Sequence, residues 1–316
     1  PVSQTATVVD HVRLFDREGN YLRTVYPFPA GQLANVRGLR MHTFPQDGAD
    51  LPLKEGFFQA TLLTSGPNAG PRHADGMPGR AGFALASAAG RIALVGQKLN
   101  RLGIDGNTAG LPLTGPTLTI PARPRGESRG LPVDVTPLSA AMSPDGKFLY
   151  LAGYFWIRSW EQGGFNCVMR LRLDDGSKPE VFLGSTKTDG GRDLPKDADA
   201  PGRFLVAASV DVDSAGRVYV ADTGNKRIVV YDSNGNLFTQ FGSEGFGAGE
   251  FYEPVDIKID ANGLAYVTDT WNQRVQVFSS DTSGMLFMYL TEWPIAGWYS
   301  ESLENKPFIA IAPNGN

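Results

Sequence analysis

The sequence is poor in the residues that most often bind metals or cross-link small folds. It has one cysteine, Cys167, so no internal disulfide can form, and a lone cysteine in a strand-like run is expected to be a small core residue. The three histidines, His11, His42 and His73, lie far apart in the sequence and outside its repeated segments. A histidine-rich metal site is therefore not expected.

Long apolar runs and an excess of positive charge are also missing. No stretch approaches the roughly 20 apolar residues of a membrane-spanning helix. The first ten residues have neither the charged region nor the apolar region of a signal peptide. Lys and Arg number 29 against 33 Asp and Glu, which gives a net charge of −4. Nucleic-acid binders gain most of their affinity by neutralising phosphates, so this balance argues against that class of partner.

Common catalytic motifs are absent as well. The sequence has no His-Glu-x-x-His, no paired cysteines and no Gly-x-Ser-x-Gly. It does contain 38 glycines and 22 prolines, spread along its whole length. That distribution is typical of many short strands joined by tight turns.

Two stretches of the sequence nearly superimpose at a spacing of 47 residues. One reads VDVDSAGRVYVADTGNKRIVVYD from Val210, and the other reads DIKIDANGLAYVTDTWNQRVQVFS from Asp256. Gly216 of the first stretch then corresponds to Gly263 of the second. A fixed period of this size indicates propeller blades or another repeat array.

Within each unit, four runs rich in β-branched and aromatic residues are separated by turns of Gly, Asn and Asp. In the first unit these runs are 210–212, 218–220, 228–231 and 237–241. Four antiparallel strands make one propeller blade, and since one blade cannot bury both of its faces, several must pack around an axis. The sequence therefore predicts an all-β fold, a β-propeller of four-stranded antiparallel blades.

These units resemble the NHL-repeat β-propeller family. The resemblance is carried by residues 216–228, which recur as 263–275, and by the linking segment 241–251. It is clear over about residues 205–293 and loose elsewhere. Propellers of related fold include metal-dependent lactonases and an amidating lyase as well as binding proteins, so the resemblance implies a fold more firmly than an activity.

We predict a single propeller domain over residues 1–316, six-bladed as a whole and truncated at both ends. Its parts are, in chain order, a partial blade at 1–30, blades at about 57–130, 138–183, 205–243 and 252–293, and the start of a further blade at 307–316. Residues 105–136, rich in Gly, Pro and Thr, are predicted to be an excursion between blades. Since one strand of the sixth blade is missing from both ends, we expect a monomeric propeller within a longer protein.

Polar residues that recur with the repeat are predicted to be structural, because a catalytic residue is usually needed only once. The acids are expected to accept hydrogen bonds from nearby backbone N–H groups, the asparagines to fit turns, and the arginines to pair with the acids or pack across the blade. These residues are Asp222, Asn225 and Arg227 in one unit and Asp269, Asn272 and Arg274 in the next.

Polar residues that do not recur are better candidates for a site. When the units are aligned on their turn glycines, Asp211 and Lys258 occupy equivalent positions on the innermost strands, where other units have alanine. Asp256 lies nearby in the sequence. These three residues could form a charged patch at the mouth of the central tunnel that binds a ligand or metal, or an ion pair between neighbouring blades. We favour pairing of Lys258 with an acid and therefore expect no tightly bound metal.

Two aromatic clusters are the other candidates for a binding site. Tyr154, Trp156 and Trp160 are expected in a hairpin connection of the third blade, and Trp293 and Trp298 in a loop after the fifth. If these rings are exposed, they would form a platform for a sugar or a protein partner. If the flanking strands run longer, the rings would pack between blades instead.

Taken as a sequence, this chain is best explained as a non-enzymatic ligand- or protein-binding propeller scaffold without a cofactor. Its expected partner is a protein or a small-molecule or carbohydrate ligand. The alternative is a tunnel-site metal-dependent hydrolase or lyase of the lactonase-like propeller type, with Asp211 and Asp256 as ligands of Ca²⁺. The compartment is left open, with an extracellular or periplasmic one weakly favoured.

Overall fold

The computed structural model describes most of the chain. The described residues are 12–16, 18–26, 28–52, 54–55, 61–62, 84–95, 98–117, 119–121, 132–134, 136–155, 166–174, 178–185, 203–295 and 309–311. Within these ranges the only helices are two short 3₁₀ segments, and neither has the length or apolar character to cross a membrane. All other regular structure there is β-strand, which confirms the predicted all-β class.

The first described segments form short antiparallel hairpins. Their strands are Val12–Phe15 (β1), Tyr21–Tyr26 (β2), Met41–Thr43 (β3), Asp50–Pro52 (β4), Lys54–Glu55 (β5) and Thr61–Leu62 (β6). The pairs are β1–β2, β3–β4 and β5–β6. A 3₁₀ helix, Ala30–Asn35, lies between β2 and β3. The β1–β2 hairpin occupies the predicted partial first blade, and the complete sheets that come after it are numbered from the second blade onward.

The second blade is a four-stranded antiparallel sheet. Its strands are Ala84–Ala88 (β7), Arg91–Val95 (β8), Lys98–Gly103 (β9) and Thr114–Thr117 (β10), paired in that order. Because β10 falls inside residues 105–136, the prediction that this whole segment lies between blades is wrong. The glycine in this strand is explained by its packing, since Gly115 lies against the side chain of Leu99, which would have to shift to admit a Cβ atom.

The third blade comes after a short hairpin of Thr119–Pro121 (β11) and Pro132–Asp134 (β12). Its strands are Thr136–Met142 (β13), Phe148–Phe155 (β14), Asn166–Arg172 (β15) and Glu180–Ser185 (β16). They form an antiparallel sheet in sequence order.

The fourth and fifth blades contain the two clear repeats. The fourth consists of Ala207–Val212 (β17), Val218–Asp222 (β18), Arg227–Tyr231 (β19) and Leu237–Phe241 (β20), with a 3₁₀ turn, Thr223–Asn225, between β18 and β19. The connection to the fifth blade contains a parallel pair, Ser243–Glu244 (β21) and Glu250–Phe251 (β22). The fifth consists of Pro254–Ile259 (β23), Ala265–Asp269 (β24), Arg274–Ser280 (β25) and Phe287–Pro294 (β26).

The first strands of the four sheets lie side by side. Strand β13 packs against β7 and β17, and β17 packs in turn against β23. In each sheet the remaining strands are arranged outward in sequence order. This is the arrangement of propeller blades around an axis, and β7, β13, β17 and β23 are its innermost strands.

Apolar side chains fill the spaces between neighbouring blades. Between the fourth and fifth blades, Tyr219, Ile228 and Val230 of one sheet meet Ile257 and Val267 of the next, all at most 1% exposed. Burying a side chain of this size stabilises the fold by about 1.5–3 kcal/mol. Similar clusters join the second blade to the third and the third to the fourth, so each blade depends on its neighbour to cover a face.

A recurring turn joins the first and second strands of a blade. In the fourth blade, Asp213 Oδ1 accepts hydrogen bonds from the N–H groups of Ala215 and Arg217, both at 2.9 Å. Gly216 in this turn has a φ of +81°, a conformation that glycine adopts without the strain a Cβ atom would cause. Asp260 makes the same two bonds in the fifth blade, which explains why the aspartate and the glycine repeat together.

Candidate functional site

The residues predicted to form a charged patch lie on the innermost strands of the fourth and fifth blades. Asp256 and Lys258 both lie on β23, with Lys258 Nζ 3.3 Å from Asp256 Oδ1. The pair therefore forms within one strand and not between neighbouring blades. The Asp256 side chain is fully buried, whereas that of Lys258 is 22% exposed. Asp256 consequently lies inside the packed blades and not at an open mouth.

Both carboxylate oxygens of Asp256 accept hydrogen bonds. Oδ1 accepts from the hydroxyl of Ser209 on β17 at 2.5 Å and from the N–H of Ile257 at 3.0 Å. Oδ2 accepts from the N–H of Ile309 at 2.8 Å. Ile309 belongs to the segment that comes after the fifth blade, so one carboxylate connects three successive parts of the ring.

Ser209 extends this connection in the other direction. Its hydroxyl lies 3.0 Å from that of Ser139 on β13, and the Ser139 hydroxyl also accepts from the N–H of Val210 at 3.1 Å. Ser139 and Ser209 are at most 4% exposed. We call Ser139, Ser209, Asp256 and the N–H of Ile309 the inner belt. It runs from blade to blade across the innermost strands, and sequence reasoning found only its aspartate.

Asp211, which lies on β17 two residues after Ser209, makes a similar contact between the fourth and fifth blades. Its Oδ2 accepts a hydrogen bond of 2.7 Å from the N–H of Ile259 on β23. Burial raises the pKa of the Asp211 carboxyl, and this effect is opposed by the charge of Lys258 and by the Ile259 hydrogen bond. Asp211 therefore joins the fourth blade to the fifth, as Ser209 does through Asp256.

The recurring residues form a second type of cluster, at the end of each blade where the chain arrives from the preceding one. In the fourth blade, buried Asp222 accepts from the N–H of Leu205 (2.8 Å), from Asn225 Nδ2 (2.8 Å) and from Arg227 Nε (2.9 Å). Arg227 also donates to the carbonyl of Arg203 at 3.1 Å. The cluster thus fastens the incoming connection to the blade.

The fifth blade repeats this cluster around Asp269. Its Oδ1 accepts from the N–H groups of Tyr252 and Glu253, both at 2.9 Å, and its Oδ2 accepts from Asn272 Nδ2 at 2.6 Å. Arg274 Nε lies 3.4 Å from Oδ2. Asp269 therefore accepts two backbone N–H groups where Asp222 accepts one.

The Asp222 carboxyl should make stability depend on pH. Burial raises its pKa to about 6, against the opposing hydrogen bonds from Asn225, the Leu205 N–H and Arg227. Since this pKa is higher in the folded than in the unfolded state, the folded state binds more protons and gains stability as the pH falls through 6. Between pH 7 and pH 5, the wild-type protein should gain about 1 kcal/mol relative to Asp222→Asn, which cannot titrate there.

Urea unfolding of both proteins at the two pH values measures this difference. Using Asp222→Asn as the reference removes the contributions of all other titrating groups. An equal change in both proteins would show that Asp222 stays ionised down to pH 5.

The aromatic residues predicted to lie in loops are placed differently where the structure describes them. Tyr154 lies within β14, where it pairs with Pro137 of β13, because the strand continues through the aromatic sequence. Trp293 lies within β26, 40% exposed, and its ring contacts that of Tyr266. The expected loop positions are therefore wrong, and the alternative of longer flanking strands holds for both residues. Trp156, Trp160 and Trp298 lie outside the described residues, as do His11 and His73.

A different group of aromatic side chains is exposed together. Phe246 stacks on Tyr252 with ring centroids 5.4 Å apart and planes 20° apart, and Tyr252 meets the edge of Trp271 at 6.4 Å. The exposed fractions are 73%, 37% and 59% respectively. Lys226 Nζ lies 5.2 Å from the centre of the Tyr252 ring. We call Phe246, Tyr252 and Trp271 the aromatic platform.

Sequence reasoning missed the platform, although the repeat contains a signal for it. Trp271 occupies the position of Gly224 in the fourth blade, and Tyr252 occupies that of Leu205. The surrounding polar cluster recurs while these aromatic residues do not, and a feature that departs from an otherwise repeating frame is a candidate for function. A position-by-position comparison of the two units would have identified both residues.

Comparison with known proteins identifies the repeats. The model of a family described as DUF5128, 6-bladed beta-propeller, matches residues 206–295. The human protein "NHL repeat-containing protein 3" is 48% identical over 50 residues, which cover 13% of this chain and 14% of that protein. The chain thus matches well under two thirds of this relative's length.

Solved structures are similar at low sequence identity. A protein of unknown function from Bacteroides caccae covers 69% of this chain and 63% of its own, with 14% identity and a TM-score of 0.37. Kuenenia stuttgartiensis hydrazine synthase covers 68% of this chain and 49% of its own, with 15% identity and a TM-score of 0.37. A structure described as the Dos1 propeller covers 51% of this chain and 34% of its own, with 14% identity and a TM-score of 0.33.

Proposed function

Since residues 206–295 are repeats of the NHL-type six-bladed propeller family, we propose that this chain is a non-enzymatic scaffold that binds a protein or small ligand. The observation that supports this proposal is that the carboxylates of the innermost strands accept hydrogen bonds from the protein itself. Both oxygens of Asp256 accept hydrogen bonds within the fold, and Asp211 accepts one from Ile259. A catalytic or metal-binding carboxylate needs an oxygen directed at its substrate or ion.

The surface that best fits a binding role is the aromatic platform. Exposed tryptophan and tyrosine are the residues that contribute most to protein interfaces. The platform is also held in place by the fold, because Asp269 fixes the N–H of Tyr252, and Asn272 donates to the carbonyl of Gly245 beside Phe246. Rings that are already ordered lose little conformational freedom when a partner binds.

A screen for ligands would test this role. The immobilised chain would be challenged with a random-peptide library and a glycan array, alongside Trp271→Ala. We expect ligands that the wild-type chain retains and the variant does not. Ligands retained equally by both would contradict the platform, and a complete absence of ligands would contradict the binding role.

The expected behaviour toward calcium separates this proposal from the metal-dependent hydrolase alternative, which none of the comparisons supports. Asp256 is neutralised by Lys258 and fully hydrogen-bonded, so a hard cation would have to displace existing partners. Calorimetry with Ca²⁺ should therefore show no binding at micromolar concentration. Micromolar binding that Asp256→Asn abolishes would instead support a metal site on the inner strands.

A further inference from the structure

We infer that the aromatic platform takes a proline-rich segment in the polyproline II conformation. This inference rests on the proposed binding role and names the class of ligand. The starting point is the hydrogen-bonding state of the platform. Within the described part of the chain, neither the indole N–H of Trp271 nor the hydroxyl of Tyr252 has a hydrogen-bond partner. Both groups lie on exposed side chains and can donate to a ligand.

Several other polar groups of these loops are already occupied. Arg274 donates to the carbonyls of Gly247 and Glu250, at 2.8 and 2.9 Å. Gln276 accepts from Gly249 and donates to the carbonyl of Glu250. The rings of the platform themselves offer apolar faces and two hydrogen-bond donors, and their one acceptor is the hydroxyl of Tyr252.

A polyproline II segment has the complementary chemistry. Proline has no backbone N–H, so such a segment presents carbonyl acceptors and apolar rings without donors that would need partners. The docking of proline-rich segments on aromatic side chains is a known recognition mode. One turn of this helix rises about 9 Å over three residues, and neighbouring ring centroids of the platform lie 5.4 and 6.4 Å apart.

Other ligand classes fit these observations less well. A sugar carries many hydroxyl donors, and each one left without an acceptor in the contact would weaken binding. A single strand of nucleic acid would stack on the rings but needs several cations for its phosphates. Of the nearby cations, Arg227 and Arg274 are engaged with Asp222 and Asp269, which leaves Lys226 beside the Tyr252 ring, and the chain carries a net charge of −4.

The direct test is a titration of the full chain with a capped decaproline peptide. Calorimetry gives the affinity, and the indole N–H signals of the ¹⁵N-labelled protein report which tryptophan responds. We expect the Trp271 signal to shift, and Trp271→Ala to weaken binding about tenfold or more, as loss of a central tryptophan does. Tyr252→Phe, which keeps the ring and removes the donor, should weaken binding by about threefold to tenfold.

The controls use the same blade. Trp293→Ala removes another exposed tryptophan, from β26, and should leave the affinity unchanged. Trp271→Ala is expected to fold, since the fourth blade has Gly224 at the equivalent position. A Gly-Ser decapeptide of equal length should not bind.

Three results would overturn the inference. They are no binding of decaproline, binding that Trp271→Ala leaves intact, and tighter Trp271-dependent binding of cellohexaose or oligo(dT). Library or array ligands that require Trp271 but contain no proline-rich segment would refute this inference and leave the proposed binding role standing. Failure of every ligand at the platform would refute both.

Discussion

Asp269→Ala should lower the free energy of unfolding by about 3 kcal/mol at neutral pH, because each donor left without an acceptor in the interior costs about 1–3 kcal/mol. The N–H groups of Tyr252 and Glu253 would lose their acceptor, and Arg274, which is 7% exposed, would lose one of its two carboxylate partners and keep Glu292. Chemical denaturation followed by circular dichroism measures the change.

Asp222→Ala should be destabilising by a smaller amount, about 2 kcal/mol, because only one backbone N–H loses its acceptor and the ionised carboxylate is already disfavoured by burial. Asp232→Ala is a matched control, since Asp232 accepts turn N–H groups in the same blade but is exposed. It should change stability little. If Asp269→Ala and Asp222→Ala unfolded like the wild type and lost ligand binding instead, the recurring acids would be functional and not structural.

The second large effect is expected at the inner belt. Asp256→Ala should also lower the free energy of unfolding by about 3 kcal/mol, since a buried donor left without its partner costs about 1–3 kcal/mol. The hydroxyl of Ser209 and the N–H groups of Ile257 and Ile309 would all lose their acceptor. The loss should be accompanied by faster hydrogen exchange at Ile309, because this carboxylate attaches the segment after the fifth blade.

Lys258→Ala is the control for the charge on the belt. Its removal keeps all three hydrogen bonds of Asp256 and takes away only the ammonium group 3.3 Å from the carboxylate, so it should be less destabilising than Asp256→Ala. A double variant of Asp256→Ala with Ser209→Ala should be less destabilised than the sum of the single changes, because both residues belong to one hydrogen bond. Unchanged stability of Asp256→Ala would show that the belt is not what joins the blades at this level.

The two kinds of polar cluster thus have different structural roles. The Asp222 and Asp269 clusters fasten each incoming connection to its blade, and the inner belt fastens the blades to each other. The aromatic platform stands on loops that the Asp269 cluster fixes, so Asp269→Ala is expected to weaken ligand binding as well as stability.

The sequence by itself determined the fold class and the structural character of the repeat. Four short β-rich runs with Asp and Gly turns, repeated after 47 residues, predict four-stranded blades that cover their faces by packing against neighbouring blades. Recurrence alone also separated Asp222 and Asp269 from catalytic residues, because a structural contact reappears with the repeated unit whereas a catalytic residue is usually needed once. These inferences depend on local pattern and period, which a sequence displays directly.

Only the tertiary structure decided which side chains meet. Ser139, Ser209 and Asp256 are separated by 70 and 47 residues, and nothing in a linear pattern shows that their side chains join across neighbouring inner strands. The end of β14 and the extent of β26 depend on pairing with neighbours, so the sequence left open whether Tyr154 and Trp293 lie in loops or in longer strands. The platform likewise forms where two loops converge in space, since ring contacts and exposure are set by the packing of the chain and not by its order.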